Sequence, residues 1–461
     1  MKRLVRISLF SLLGLFIIAF TLFSIYFAPI MAGMAAKTMC SCVYVTERSP
    51  ESVVKEEFDV FPGMSMAGIT FGDDSASVSA TFLFSTKKAI FRKGLGCTLL
   101  AEASEETVRN QKMVLADRPP YDQDTIAWPL GNILYDTIDH GVDKEKLASA
   151  VDNAFNNKSP GHPIFTHAVL VVYDGEIIAE KYADGFDKNS KLMGWSMAKS
   201  AINTFYGVMS YKDLITPLDY AGLEEWQNSE KKNIRIDHLL KATSGLKWDE
   251  AYFNPRGEFH KMFIFEDDKA AYAASLELEH PIGEFFEYSG GTTNILSRIM
   301  REKLGDDQYY RFPYEEVFYK IGMLSAIVEP DASGTFVMSS YCYATARDWA
   351  RLGLLYLNDG HFNGQRILPE GWVEYSTSPS TAAKKQEYGA QIWLNYGDKD
   401  NPENVEYPGV PNEAIIFDGF EKNYVVILPP KGLVVVRLGV THNQDFSLAD
   451  LVNGVVAALP E

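Results

Sequence analysis

The chain has 461 residues, 46% of them apolar and 23% charged, a composition that excludes a disordered, collagen-like or polytopic membrane protein. Its 61 acidic against 43 basic side chains leave a formal charge of −18, which argues against nucleic acid as a partner, because affinity for phosphate backbones comes from Lys and Arg. Four cysteines without a C-x-x-C pair are too few for a disulfide scaffold, and the length suffices to bury a large core without staples.

At the start, Lys2, Arg3 and Arg6 precede an uncharged run from Ile7 to Met31. The run exceeds the ~20 residues that cross a hydrocarbon core, whereas a signal-peptide apolar region is usually ~7–15 residues. Residues 1–36 therefore read as an N-terminal transmembrane anchor, with Gly33, Ala35 and Ala36 leaving signal cleavage as the alternative. Either reading keeps the basic flank inside and exports the remainder, placing it at the cell membrane on the periplasmic or extracellular side.

Residues 37–135 form a second predicted region. Strand-like runs at Met66–Thr70, Ser77–Phe84 and Lys88–Leu100 are broken by Gly72-Asp73-Asp74 and Ser85-Thr86-Lys87, which predicts a small β unit carrying Cys97. The polar, proline-containing stretch Glu102–Pro129 reads as a linker. Export permits disulfides, and Cys40 and Cys42 are too close in sequence to pair with each other. A bridge from Cys42 or Cys40 to Cys97 is expected, with Cys342 left as a buried free thiol.

Residues 140–461 form the third region. Ala168–Tyr173, the turn Asp174-Gly175 and Glu176–Tyr182 read as a hairpin. Helical patterns follow from Ser196 to about Tyr211 and at Ile236–Leu240, Asp268–Leu276, Asn294–Leu304 and Ala344–Leu357. Strands return at Glu413–Phe417, Tyr424–Leu428 and Gly432–Val440, and a last helix covers Leu448–Leu459. An early hairpin and late strands that bracket helices predict an α/β fold. One antiparallel sheet, completed by both ends of the domain, is flanked by helices and carries an inserted helical lobe.

Gly194-Trp195-Ser196-Met197-Ala198-Lys199-Ser200 contains S-x-x-K. A helix puts residues i and i+3 on one face, so the Lys199 amine can reach the Ser196 hydroxyl. A serine hydroxyl needs an adjacent base to act as a nucleophile, and a lysine serves once desolvation lowers its pKa from ~10.4. The same spacing occurs at Ser52/Lys55, Ser85/Lys88, Ser229/Lys232 and Ser244/Lys247. Only at Ser196 are both intervening residues apolar, and only there does a helix begin directly after a strand hairpin. A second element, Pro281–Gly290, sets Tyr288 just ahead of a helix. The eight histidines show no H-E-x-x-H or paired spacing, and Asp73-Asp74 and Asp267-Asp268 read as solvated turns, so neither metal nor cofactor is expected. Ala198 stands where G-x-S-x-G needs its closing glycine, which excludes the nucleophile elbow of α/β-hydrolases.

From about Phe165 to Leu459 the sequence resembles the class C β-lactamase-like serine hydrolases, the superfamily of penicillin-binding proteins, β-lactamase-like esterases and 6-aminohexanoate-dimer hydrolases. The resemblance rests on the ordered S-x-x-K, Ile236-Asp237-His238-Leu239-Leu240 with Thr243-Ser244-Gly245-Leu246, Tyr288-Ser289, Gly322-Met323 and Leu368-Pro369-Glu370-Gly371-Trp372. It implies that Ser196 is the acylated nucleophile, Lys199 the general base and Tyr288 the proton relay. The oxyanion hole then uses the Ser196 N–H and one N–H from the late edge strand.

Two departures narrow the expectation. Gly290 replaces the asparagine usually found two residues after the tyrosine. The late strand, in place of Lys-Thr-Gly, offers Asp418-Gly419-Phe420, with Gly419 and Phe420 as substrate-binding residues. An Asp in place of a cation repels a substrate carboxylate, which disfavours β-lactamase or carboxypeptidase activity. Tyr-Ser-Gly-Gly together with Trp248-Asp249-Glu250-Ala251-Tyr252 looks closer to the 6-aminohexanoate-dimer hydrolase branch, where a loop tyrosine contacts the substrate amide, so the resemblance makes Tyr252 a further substrate-binding residue. The expected function is hydrolysis of a small-molecule amide or ester through an acyl-enzyme. The alternative is a non-catalytic, penicillin-binding-like ligand-binding module.

Overall fold

The computed structural model describes residues 2–61, 63–72, 76–135, 141–156, 163–441 and 446–460. Asp73 and Asp74 lie outside the described residues. The chain divides into two compact units, one of Met1–Asn110, Asp249–Asp268 and Asp331–Ser333, the other of Gln111–Trp248, Lys269–Pro330 and Gly334–Glu461.

The first unit packs one long helix, α1 (Lys2–Tyr44), on a four-stranded antiparallel meander, β1 (Gly68–Phe71), β2 (Ser77–Phe82), β3 (Ser85–Arg92) and β4 (Gly96–Leu100), in the order β1-β2-β3-β4. In β2 the apolar Val78, Ala80 and Phe82 are buried while Thr81 faces out, the period-2 pattern of a half-covered sheet. Small residues let the helix approach closely: Ala32, Ala35 and Ala36 are fully buried, and a Cβ on Gly33 would lie 2.9 Å from Ile264 Cγ2. Ile264 comes from the Asp249–Asp268 segment. Asp267 ties that segment to the meander by accepting the backbone N–H groups of Ala101, Glu102 and Ala103 at 3.0, 3.0 and 2.6 Å. It is an anchor rather than a solvated turn.

The expected boundary of the membrane anchor at residue 36 is corrected by this packing. The helix continues to Tyr44, and Met31, Met34 and Met39 belong to a protein core. Among the described residues no helix is long and apolar enough to cross a membrane. Burial in the protein begins near Ala28, whereas most of the described apolar run before it stays exposed, Phe10, Leu12, Leu15, Phe23 and Ile25 among it.

Cys40 on α1 is bonded to Cys97 on β4, and Cys42 and Cys342 are buried thiols. Two residues apart on a helix point about 200° from each other, so Cys42 cannot face β4 when Cys40 does.

The second unit is built on a six-stranded antiparallel sheet. Its strands are β5 (Ile164–Tyr173), β6 (Glu176–Tyr182), β7 (Trp393–Leu394), β8 (Ile415–Gly419), β9 (Asn423–Leu428) and β10 (Leu433–Thr441), in the order β7-β8-β9-β10-β5-β6. The early hairpin and the late strands thus share one sheet, as the sequence predicts, with Val435 opposite Val171. On one face α2 (Lys144–Asn153) and α6 (Leu448–Val456) bury Leu147, Val151, Leu451 and Val455 against Val169, Val171, Ile416, Val426 and Val435. The other face carries α3 (Met197–Tyr211) and α5 (Ala346–Leu357). There Gly353 lets α5 approach so closely that a Cβ would lie 2.8 Å from Val434 Cγ1. With both faces covered, β10 is apolar at consecutive positions instead of alternating. The inserted lobe includes α3 and α4 (Gly290–Leu304).

From Gln111 onward the predicted linker belongs to this unit. The Arg351 guanidinium on α5 donates to Pro129 O and Gly131 O, both at 2.6 Å, and pairs with Asp348 at 2.6 Å. Trp128 Nε1 donates to Gly175 O at 2.7 Å. A polar, proline-containing segment is fixed here through its carbonyl groups, which no side-chain pattern records.

Non-reducing peptide mapping is expected to recover Cys40 and Cys97 in one linked fragment, with Cys42 and Cys342 alkylated only after denaturation. Replacing both bonded cysteines by serine should lower unfolding stability by about 2–4 kcal/mol, read as an earlier urea midpoint.

Candidate active site

The site begins with a tight turn. The short strand Leu192–Met193 pairs with Cys342–Ala344, and the Gly194 N–H donates to Cys342 O at 2.8 Å. Position 194 has no room for a side chain, since a Cβ would lie 2.2 Å from the Trp349 ring. Trp195 follows with φ +48°, a left-handed conformation that is sterically costly for a bulky residue. Its ring is held edge-on by Phe420 at 5.4 Å. This turn delivers Ser196 to the N-terminus of α3.

One helical turn on, Lys199 lies beneath it. Lys199 Nζ donates to Ser196 Oγ at 3.0 Å and to the Ser339 carbonyl at 2.9 Å. Lys199 is 2% exposed and Ser196 9%, so both groups are largely withdrawn from water, the lysine more completely. The Ser339 N–H donates to Asn294 Oδ1 on α4 at 3.2 Å. That bond orients the backbone whose carbonyl receives the lysine.

Tyr288 brings its ring centroid to 4.8 Å from Lys199 Nζ, within the range over which an aromatic face attracts a cation. The ring is half-buried, packed against Trp393 at 5.0 Å and Tyr388 at 5.7 Å. Next in sequence, Ser289 caps α4 by accepting the Thr292 N–H, so the helix start fixes the backbone that carries the tyrosine. Ser196, Lys199 and Tyr288 therefore come together.

β8 passes beside the nucleophile turn. A Cβ on Gly419 would lie 2.2 Å from Gly194 O, so Gly419 and Phe420 border Ser196 through Gly194 and Trp195. The turn after them holds Glu421 and Lys422 in the left-handed region, both at φ +63°. Asp418 accepts a hydrogen bond from the Tyr407 hydroxyl at 2.6 Å. Burial pushes the Asp418 carboxyl up to about 7, against the opposing pull of Tyr407, Lys422 and Lys199. Tyr252 lies in the first unit, its carbonyl 2.6 Å from His260 Nε2 and its ring edge-on to Phe259 at 4.8 Å. Ser196, Lys199, Tyr288, Gly419 and Phe420 all belong to the second unit.

Sequence reasoning missed Ser339, Asn294 and Trp393. Ser339 acts through its main chain, which leaves no motif, and its own Oγ is buried without a hydrogen-bond partner among the described residues. Asn294, four residues into the helix after Tyr288-Ser289, carried a signal in its placement but not in its spacing.

Residues 151–450 match the Beta-lactamase family. A 6-aminohexanoate-dimer hydrolase of Paenarthrobacter ureafaciens is 24% identical over 227 residues, 45% of this chain and 56% of that protein; the chain thus spans about half the length of that curated relative. Among solved structures, a Bacillus anthracis protein assigned to the 6-aminohexanoate-dimer hydrolases superposes with a TM-score of 0.55 at 20% identity, covering 76% of this chain and 93% of its own. A family VIII carboxylesterase gives 0.53 at 14% identity, over 71% and 99%. These structural likenesses show the fold, and with the match across most of the second unit they lead to one conclusion: the chain belongs to the Beta-lactamase family of serine hydrolases.

Proposed function

We propose that the protein hydrolyses a small amide or ester through an acyl-enzyme on Ser196. The observation that carries this reading is the buried Lys199 amine, 3.0 Å from Ser196 Oγ and held from the other side by the Ser339 carbonyl. In the neutral form, Lys199 takes the hydroxyl proton as Oγ bonds to the substrate carbonyl carbon. Negative charge then gathers on the former carbonyl oxygen, where the N–H groups of Ser196 and Phe420 are proposed to receive it. Tyr288 passes a proton to the leaving nitrogen or oxygen as that bond breaks. Water repeats the sequence on the acyl-enzyme and restores Ser196.

The substrate class follows from Asp418. Above its titration this carboxylate disfavours a substrate carboxylate at the β8 edge, so the proposed substrates are neutral or cationic there and β-lactams are poor ones. The relatives named above include an amide hydrolase and a carboxylesterase, which supports the amide-or-ester class. The Cys40–Cys97 bridge supports an exported, oxidising location, since disulfides rarely persist in a reducing cytosol. The late strand without its usual cation favours a second reading, a ligand-binding module without turnover.

A fluorophosphonate probe at neutral pH separates the two readings. Labelling that disappears in Ser196→Ala is expected; an unlabelled wild-type protein would favour the binding module.

Lys199→Ala should abolish acylation with the fold retained. Tyr288→Phe, which keeps the ring and removes the hydroxyl, should slow turnover by ~10²–10⁴-fold. Activity should rise with pH through an apparent pKa that belongs to the coupled groups rather than to one of them. An unchanged rate in Tyr288→Phe would make the tyrosine purely structural.

The Asp418 carboxyl titrates higher in the folded protein, at about 7, than its ordinary value of 3.8. Between those values the folded state holds more protons than the unfolded chain, so Asp418 makes stability fall as pH rises. Asp418→Asn cannot ionise. Its melting temperature relative to wild type should therefore be higher at pH 8.5 than at pH 4.5, and a pH-independent difference would refute the shift.

A further inference from the structure

Arg437 on β10 is fully buried, and among the described residues no carboxylate forms an ion pair with it. Its guanidinium is spent on neutral acceptors. Nε and Nη2 donate to Thr166 Oγ1 at 3.2 and 3.0 Å, Nη2 to Thr441 Oγ1 at 2.7 Å, and Nη1 to the carbonyls of Glu421 and Lys422, both at 2.9 Å. The ring of Phe446 lies 4.6 Å from the guanidinium carbon. Burial pushes the group down to about 9, against the opposing pull of Tyr424 and Glu421, so it stays charged at neutral pH. A buried charge is expensive, and this one is directed at a particular piece of backbone.

That backbone is the turn after Gly419. Glu421 and Lys422, whose carbonyls Arg437 holds, are the two left-handed residues of the turn. The preceding carbonyl, of Phe420, accepts from Asn423 Nδ2 at 2.7 Å, and Asn423 Oδ1 accepts the Gly439 N–H at 2.9 Å. Three consecutive carbonyls are thus pinned by two buried side chains. Upstream, the close approach of Gly419 to Gly194 leaves the chain no freedom. β10 makes room for the clamp: its pairing with β5 shifts register between Leu438 and Gly439, and a Cβ on Gly439 would lie 3.0 Å from Arg437 Nη2. A bulge that re-aims side chains is a common feature beside active sites.

We infer that Arg437, assisted by Asn423, is a positioning residue: by holding the carbonyls of Phe420, Glu421 and Lys422 it fixes the turn that directly follows the Gly419–Phe420 peptide, whose N–H is the second oxyanion donor. The inference rests on the hydrolase reading above. Arg437 touches no substrate. It holds the strained turn rigid, so that the Phe420 N–H meets developing negative charge without rearrangement, the preorganisation on which oxyanion stabilisation depends.

The test compares an oxo ester with its thiono counterpart, in which sulfur replaces the carbonyl oxygen. Oxyanion-hole donors favour oxygen, so the ratio of the two acylation rates reports on the hole and is insensitive to the fraction of enzyme that is folded. Arg437→Met, Arg437→Lys and Asn423→Ala are measured with wild type, using p-nitrophenyl acetate and its thiono analogue, after circular dichroism identifies the folded variants. In the folded variants the oxo rate should fall by ~10²-fold, the scale of one lost oxyanion donor, and the oxo-to-thiono ratio should fall with it while KM changes little. Asn423→Ala keeps the arginine and gives the same readout if Arg437→Met does not fold. Variants that lose activity with an unchanged ratio, or that keep full activity, would overturn the inference while leaving Ser196 acylation intact. A wild-type protein that is not acylated would remove the hydrolase reading, and the inference with it.

Discussion

The second unit depends on one close approach. Where β8 passes the nucleophile turn, Gly419 and Gly194 come so near that neither tolerates a side chain, one facing a carbonyl oxygen and the other the Trp349 ring. This contact joins the sheet to the start of α3. Two glycines, the left-handed Trp195 and the edge-on ring of Phe420 form its immediate frame. If this spacing widened, the Ser196 and Phe420 amides would separate, and every other group in the site is placed relative to that pair. The cost is a strained backbone at Trp195, which persists because its surroundings leave it no alternative.

Around this junction polar groups are held mainly by backbone acceptors. Lys199 shares its protons with a hydroxyl and a carbonyl, and Arg437 reaches the carbonyls of Glu421 and Lys422. A carbonyl partner offers direction without a full opposing charge. A cation held this way keeps its electrostatic influence, whereas a salt bridge would largely cancel it. Tyr288 illustrates the complementary device, an aromatic ring fixed by Trp393 and Tyr388 and presented to an amine.

The parts legible in the sequence were those set by regular geometry. S-x-x-K could be read because a helix fixes which residues share a face, and the sheet because strand and turn chemistry mark both of its ends. The parts that were not legible depend on main-chain atoms or on distant partners. Ser339 meets Lys199 across 140 residues through a carbonyl, and the supposed linker is bound by its own peptide groups. At α1 hydropathy marked the apolar run but not where its helix ends, because Ala32, Ala35, Ala36 and Met39 beyond the run are held by packing on the meander. The cysteine pairing was open between two candidates until the rotation of α1 was known. Tyr252 sits in a segment whose membership in the first unit is decided by Asp267 and Ile264, both far along the chain from the meander they join.

The strand order has a consequence for how the chain is made. β5 pairs with β10, and Arg437 bonds Thr166 across 271 residues. During synthesis the β5–β6 hairpin emerges with one edge unpaired, and its partner strand follows only after the whole helical stretch between them. Until then an apolar ribbon waits with open hydrogen-bonding groups, the kind of edge that templates aggregation. So distant a pairing implies slow closure of the sheet, and it makes β10 the strand whose arrival commits the second unit to its native topology.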